Sequence, residues 1–411
     1  LPFEPSYLEE LKSLAESAGY EVVGKVEQVR AADSRYQIGS GKVEELRALV
    51  KETGAQKIIF DNDLKPVQSY NLAKATGVEV IDRFQLILEI FVKRASTTEA
   101  KLQIQLARAQ YELAHAKEKV RLAKLGEQPG FMGLGAYEVD VYFESVKRQV
   151  HAIQRKLRKI KKKRELHRVR RFEAGFLTIS LAGYTNAGKT SLFNALTGEK
   201  GTVGVGLFTT LSTTTRAINL SNKKVLLTDT VGFIDRLPIT LIDAFHSTLE
   251  ETIFSDLILL VLDISEPKDE VERKLTCCLD TLKEIGANQI PIVTALNKID
   301  LVTNDLLQEK FETVKKLAPN PVPISALYSL NLELLEQELL KNLKNYTRAS
   351  VVVPLNEESI KFISWLHERT DILKIEYKNE YAEIVFEAVP WFAEKACGKV
   401  QQLSGKVIEM H

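Results

Sequence analysis

Apolar positions along the chain follow three successive rhythms. From Glu21 to about Phe91, short β-type runs (Glu21–Val26, Lys57–Phe60, Val78–Ile81) alternate with helical ones (Lys42–Glu52, Pro66–Thr76, Phe84–Val92). That βαβαβα order predicts a small parallel sheet with covering helices. Next, Leu102, Leu106, Ala109, Leu113, Ala116, Val120 and Ala123 recur at alternating spacings of four and three, and Val146, Val150, Ile153, Leu157 and Ile160 repeat the pattern. Two helices with narrow apolar seams are implied, each too thin-striped to stand alone. Between them Gly126–Gly135 holds four glycines and a proline, enough to end one helix and reverse the chain into an antiparallel helical hairpin.

Past Gly175 the rhythm changes again. Phe176–Leu181, Lys224–Leu227, Leu257–Leu262, Ile290–Leu296 and Pro321–Ile324 are too short for helices and suit buried strands of a doubly wound, mostly parallel sheet. After Arg348 the pattern reads as strand Val351–Val353, helix Glu357–Glu368, a hairpin of Asp371–Tyr377 and Tyr381–Val389, helix Trp391–Leu403 and a strand near Lys406–Glu409, a small α+β unit. Trp365 and Trp391 sit in helical patterns and read as core. The expectation is an α/β protein with an N-terminal α/β domain (1–97), a helical hairpin (98–174), a doubly wound, mostly parallel α/β domain (175–347) and a C-terminal α+β domain (348–411).

Composition narrows the class. The chain has 411 residues, 45% of them hydrophobic, enough for several cores at roughly 100–200 residues each. No run reaches the ~18 apolar residues of a membrane span; the longest, Phe84–Val92 and Leu257–Leu262, are bounded or broken by charge. Leu1–Tyr7 lacks the basic and apolar regions of a secretory leader. Cys277, Cys278 and Cys397 fit neither a disulfide framework nor a metal set. A monomer in the reducing cytoplasm is expected.

The charge balance is uneven. Lys+Arg number 56 against 55 Asp+Glu, a formal net of +1. Yet Lys147–Arg171 alone holds thirteen Lys or Arg and one acid, Glu165, for +12, leaving −11 on the rest. A solvated helix face would normally intersperse acids, so Arg155, Lys156, Arg158, Lys159, Lys162, Lys163 and Arg164 are candidate contacts to a polyanion such as RNA; charge alone does not separate RNA from anionic lipid.

Candidate chemistry lies at strand ends. Gly183-Tyr184-Thr185-Asn186-Ala187-Gly188-Lys189-Thr190 fits G-x-x-x-x-G-K-[ST] between a predicted strand and the helix opening at Ser191. Its backbone N–H groups would cradle phosphates, Lys189 reach the β/γ oxygens and Thr190 ligate Mg²⁺. Asp229-Thr230-Val231-Gly232 would hold Mg²⁺ through water at Asp229 and offer the Gly232 N–H to the γ-phosphate. In Asn297-Lys298-Ile299-Asp300 the Asp300 carboxylate can accept from guanine N1–H and N2–H₂, a donor pair adenine lacks, while Asn297 meets the other edge and the Lys298 stem lies across the ring. Ser325-Ala326-Leu327 can give a backbone N–H to guanine O6. Tyr36–Lys42 reads either as a phosphate loop or as a turn before a helix.

These motifs resemble those of translation-factor-related P-loop GTPases, and more closely the HflX family, on Tyr36–Lys42, Arg94–Lys101, Gly183–Thr190, Leu207–Leu211 and Asp229–Phe233, over about residues 20–345. The resemblance is of archaeal type, with an added C-terminal domain. It implies GTP hydrolysis with Mg²⁺ and binding of GTP or GDP. It also implies association with the large ribosomal subunit, its N-terminal region near ribosomal RNA of the peptidyl transferase centre, and in some bacterial members splitting of stalled ribosomes. Mapped on the family's Phe-x-Thr-Leu segment, the switch I threonine that closes on Mg²⁺ is Thr210, with Phe208 and Thr209 beside it; Thr214 is a rival. Lys189, Thr210 and Gly232 form the implied catalytic set. Bacterial relatives carry an arginine in the hairpin tip, which Gly126–Gly135 lacks.

Phe233 follows Gly232 where many small GTPases place a water-orienting glutamine, so slow intrinsic hydrolysis with partner stimulation is expected. Asn186 occupies the place where potassium-activated relatives help hold K⁺; it equally suits a loop turn. Two further readings remain: an RNA-binding module with a structural nucleotide, or a GTPase working on another RNA or at a membrane surface.

Overall fold

The computed structural model describes residues 8–124, 136–173, 175–198, 213–221, 223–230, 232–234, 251–343, 347–367 and 369–410. The chain divides into two compact units, and the division falls between Ile160 and Lys161, inside one long helix.

The first unit holds α1 (Leu8–Ser17), α2 (Ser40–Thr53), β1 (Lys57–Phe60), α3 (Pro66–Thr76), β2 (Glu79–Asp82), α4 (Arg83–Arg94), α5 (Thr98–Lys124) and the first part of α6 (Ala136–Glu173). β1 and β2 pair in parallel, from Lys57 opposite Glu79 to Phe60 opposite Asp82. The strand expected at Glu21–Val26 is not formed. Val22 is 38% exposed and Val23 50%, and Val26 alone packs on the core, so the run has no continuous buried face and no partner strand, and β-type composition alone does not hold a strand. Val43, Leu46 and Val50 of α2 pack with Ile58, Leu64, Leu72 and Val80 to form the core of this layer.

The predicted seam is present over its described part, the side chains of Ala116, Val120 and Ala123 lying outside the described residues. Leu102, Leu106 and Ala109 of α5 bury against Val146, Val150 and Ile153 of α6, flanked by Leu113, Leu157 and Ile160. The tip, 125–135, lies outside the described residues. α5 is fixed to the sheet layer by Tyr111, whose hydroxyl donates to Asp82 Oδ2 at 2.8 Å and whose ring stacks on Phe84 at 4.6 Å. Asp82 also caps α4, accepting from the Gln85 N–H at 2.9 Å. Arg83, 3% exposed, pairs with Asp61 (2.7 Å) and Glu10 (3.0 Å), which ties α1 to the strand ends.

The second unit begins with the end of α6 and continues through β3 (Leu177–Gly183), α7 (Lys189–Thr197), β4 (Thr214–Leu220), β5 (Lys223–Asp229), β6 (Leu257–Asp263), α8 (Lys268–Glu284), β7 (Ile292–Asn297), a 3₁₀ turn (Ile299–Leu301), α9 (Asn304–Val314), β8 (Pro321–Pro323) and α10 (Leu332–Asn342). Sheet order is β4-β5-β3-β6-β7-β8, parallel except for β4 against β5. The chain leaves β3 for one side of the sheet and returns to β6 on the other, so the crevice at the carboxyl end of β3 is a topological switch point. β6 is buried along all seven residues, as a central parallel strand must be.

β4 was not expected. It is an edge strand whose Thr214 pairs with Asp229, which makes Thr214 a ladder residue at the head of that strand. The final segment forms β9 (Thr347–Pro354), α11 (Glu357–His367), β10 (Asp371–Tyr377), β11 (Tyr381–Ala388), α12 (Pro390–Gln402) and β12 (Lys406–Met410), an antiparallel sheet of order β10-β11-β9-β12. Trp365 stacks on buried Phe392 at 4.7 Å and Trp391 meets it edge-on at 5.6 Å, as core residues do. One contiguous buried set runs from Leu177 of β3 to Val400 of α12. At the near end of the unit, the Arg168 guanidinium lies 3.6 Å over the Phe254 ring and 3.7 Å from Glu251.

Candidate functional site

Four segments converge at the carboxyl edge of the six-stranded sheet because strands β3, β5, β7 and β8 all point that way. β3 ends at Gly183, whose φ is 144° and where an added Cβ would lie 2.2 Å from the Val261 carbonyl. Only glycine lets the chain turn there against β6. The loop then reaches α7, whose first residues are Lys189, Thr190 and Ser191. Asn186 is exposed with φ 64°, a left-handed conformation that asparagine tolerates and that accounts for this residue type by backbone alone.

The loop is stitched to the segment after β5. The Phe233 N–H donates to the Gly183 carbonyl (3.0 Å), and the Thr185 N–H donates to the Phe233 carbonyl (2.8 Å). Between these bonds lies Gly232, where a Cβ would sit 2.8 Å from Lys189 Nζ and 2.9 Å from Thr185 Cγ2. Lys189 is 7% exposed and donates to the Gly183 (3.1 Å) and Tyr184 (2.9 Å) carbonyls. Burial draws the Lys189 pKa below its ordinary value, opposed by the nearby Asp229 charge. The Thr190 hydroxyl donates to Asp229 Oδ2 at 3.1 Å, and the Thr230 hydroxyl to the Leu181 carbonyl at 2.5 Å. Phe208, Thr209, Thr210 and Val231 lie outside the described residues.

At the other end of the crevice, Asn297 is 3% exposed and works as a staple. Its Nδ2 donates to the Ala187 carbonyl and its Oδ1 accepts from the Ala326 N–H, both at 2.9 Å. The phosphate-type loop and the Ser325-Ala326-Leu327 loop are thereby held by one amide, with a second Nδ2 hydrogen left over. Lys298 adopts φ 70° and its ammonium binds Asp263 Oδ2 at 2.5 Å. Asp300 is half-buried, and its Oδ1 is buried with no hydrogen-bond partner among the described residues. Ser325 and Ala326 are buried, while Leu327 is exposed at the rim.

Sequence reasoning missed two supports. Asp263, opposite Asn297 in the β6–β7 register, accepts from the Ser265 N–H (3.0 Å) and hydroxyl (2.6 Å) as well as from Lys298. A carboxylate ending a fully apolar strand was the available signal. Lys310 of α9, 5% exposed, donates to the carbonyls of Ile264 (3.0 Å) and Glu266 (2.6 Å), fixing that turn. Nothing local in the sequence marks it. Beneath the loop, burial pushes the Cys278 thiol up to about 12, so it stays protonated.

Elsewhere, Gly39 of the Tyr36–Lys42 segment gives its N–H to Gln28 Oε1 at 2.8 Å, and a Cβ there would meet Arg30 Nη1 at 2.3 Å. That contact is with the movable end of a side chain, and with φ −68° Gly39 has an ordinary backbone conformation, so neither requires a glycine there. On α6, Arg155, Lys156, Arg158, Lys159, Lys162 and Lys163 are exposed and make no ion pair among the described residues; Arg164 is half-buried.

A doubly wound sheet carrying a G-x-x-x-x-G-K-T loop at its switch point, an Asp–Thr pair beside it and an Asn-Lys-x-Asp corner defines the P-loop GTPase class. Residues 5–92, 94–171 and 178–298 match the families described as GTP-binding GTPase N-terminal, GTP-binding GTPase Middle Region and 50S ribosome-binding GTPase. The GTPase HflX of Methanocaldococcus jannaschii is 46% identical over 386 residues, 94% of each chain, and that of Thermococcus kodakarensis 44% identical over 377 residues, 90% of this chain and 85% of that one. A crystal structure titled as the SsGBP and GDP complex superposes with TM-score 0.50 at 32% identity, covering 82% of this chain and 95% of that one. The chain belongs to the HflX family of GTPases, and it binds and hydrolyses GTP. Among the described residues no helix is long and apolar enough to cross a membrane.

Proposed function

We propose that this chain is a GTP-driven switch that binds the large ribosomal subunit in its GTP form and leaves after hydrolysis, acting in ribosome splitting, rescue or biogenesis. The observation that carries the reading is the row of exposed basic side chains on α6, Arg155, Lys156, Arg158, Lys159, Lys162 and Lys163, in a chain that also holds a guanine-nucleotide crevice. Such a row suits the phosphates of ribosomal RNA. The family description matched at 178–298 supports the same partner.

In this reading Gly183–Ser191 cradle the phosphates, Lys189 neutralises the β/γ oxygens, and Asp300 Oδ1 finds in guanine the donor it lacks among the described residues. The Thr190 hydroxyl and the Asp229 carboxylate are hard oxygen donors side by side, the set Mg²⁺ takes, with Thr210 closing from switch I. When bound, Mg²⁺ would supply charge neutralisation at the β/γ-phosphates. Gly232 presents its N–H to the γ-phosphate, and the apolar Phe233 keeps the intrinsic rate slow until a partner orders the switches. The working divisions are 1–97, 98–174, 175–347 and 348–411.

Cosedimentation with separated ribosomal subunits, run with GTP analogue and GDP across a salt series, tests the proposal. Binding to the large subunit should be stronger with the GTP analogue and fall steeply with salt. Equal binding in both nucleotide states would remove the switch, and no large-subunit binding with either would end the ribosomal reading.

A further inference from the structure

The phosphate loop contains one group without an assigned task. Thr185 is 6% exposed, and its hydroxyl makes no hydrogen bond among the described residues. Folded proteins rarely bury a hydroxyl unpaired, because its lost hydration is not recovered; each such group calls for an explanation. A substrate that arrives later is one.

Its position fits that explanation. The Thr185 backbone is fixed by its N–H bond to the Phe233 carbonyl at 2.8 Å. A Cβ built on Gly232 would fall 2.9 Å from Thr185 Cγ2, 3.1 Å from Thr185 Cα and 2.8 Å from Lys189 Nζ. The Thr185 side chain, its methyl toward Gly232, thus packs with the Lys189 ammonium and Gly232 at the end of the loop, beside the place where the terminal phosphate of a bound nucleoside triphosphate belongs. The neighbouring polar groups are committed: Lys189 donates to two carbonyls, the Thr190 hydroxyl serves Asp229, and the Cys278 thiol stays protonated. Phe233 is 3% exposed, held to the loop through both its N–H and its carbonyl, and its ring offers no hydrogen bond to water.

We propose that Thr185 is a catalytic residue whose hydroxyl positions the water that attacks GTP. The inference rests on the nucleotide-site reading above. A hydroxyl has one proton to give and two lone pairs to receive. Thr185 Oγ1 accepts a hydrogen bond from the water and donates its own proton's hydrogen bond to a γ-phosphate oxygen. The water oxygen forms the new bond to the γ-phosphorus as the bond to the β,γ-bridging oxygen breaks, and the bridging oxygen leaves on GDP with the electron pair. The water's proton passes to an oxygen of the departing phosphate, and Thr185 ends unchanged. Its side chain does part of the work for which Phe233 is chemically unsuited.

The test compares Thr185→Val, which keeps shape and the backbone bond, with Thr185→Ser, which keeps the hydroxyl. Single-turnover GTP hydrolysis and fluorescent GDP binding are measured on the full chain. Thr185→Val should lose on the order of 10²-fold in rate with GDP affinity within about threefold of the parent, while Thr185→Ser stays within about fivefold in rate. Parent-like hydrolysis in the valine variant overturns the proposal, as does an equal loss in the serine variant or a valine defect expressed wholly in GDP affinity. Failure of the parent to bind GDP would instead overturn the nucleotide-site reading.

Discussion

Asn297→Ala isolates the staple between the two halves of the crevice. The side chain makes two 2.9 Å bonds, to the Ala187 carbonyl and from the Ala326 N–H, and both partners are buried, at 1% and 5% exposure. Truncation leaves two main-chain groups with little access to water, each at about 1–3 kcal/mol. Some relaxation toward solvent will occur, so the total loss should be about 2–4 kcal/mol. Both bonds exist without nucleotide, so this loss falls on the nucleotide-free protein. For a unit of this size each kcal/mol lowers Tm by roughly 2–4 °C, giving a fall on the order of 4–16 °C in a thermal scan. A separate loss falls on binding, because the phosphate and base loops are no longer held in register. The stabilisation that saturating GDP confers should shrink by at least about 1 kcal/mol, close to tenfold in affinity. A variant that melts within a degree of the parent and gains as much from GDP would show that the staple carries no energy and refute the reasoning.

Two further outcomes follow from the same geometry. Asp300→Asn exchanges an acceptor for a donor at the buried Oδ1, so guanosine nucleotides should lose about 2–4 kcal/mol while xanthosine nucleotides gain; unchanged GTP affinity in competition binding would displace Asp300 from base recognition. Tyr111→Phe removes a 2.8 Å bond to the buried Asp82 carboxylate and should cost about 1.5–3 kcal/mol in the first unit, read as faster hydrogen exchange along α5; parent-like exchange would count against that link.

The parts of the fold most legible in the sequence were those set by local pattern. The six-residue apolar run Leu257–Leu262 lies in β6, Leu257–Asp263, and the described part of the hairpin seam is buried as its alternating spacing required. The nucleotide motifs were legible because their spacing ties each to a strand end. What failed depended on neighbours. Glu21–Val26 has strand-like composition but no partner, while β4 has a partner but an exposed, Thr-rich edge that reads as loop. Asn297 could be assigned to the site from sequence, yet its attachment to Ala187 spans 110 positions and appears only once β3 and β7 share a sheet. Lys310, 46 positions from Ile264, is a long-range capping group of the same kind. Such contacts are products of topology and leave no periodic trace.

The buried set that runs unbroken from β3 to α12 constrains how the chain can be made. In the terminal sheet β9, the first strand to be synthesised, lies between β11 and β12, the last. The face of β9 that carries Ala349, Val351 and Val353 can be fully covered only after nearly all of the chain has been translated. Until then apolar surface of the nucleotide-binding half that those residues adjoin stays open. A nascent chain stalled before Pro390 would lack the buried Phe392, Ala393, Ala396 and Val400 of α12 and would present an exposed core to chaperones while its phosphate loop was already written.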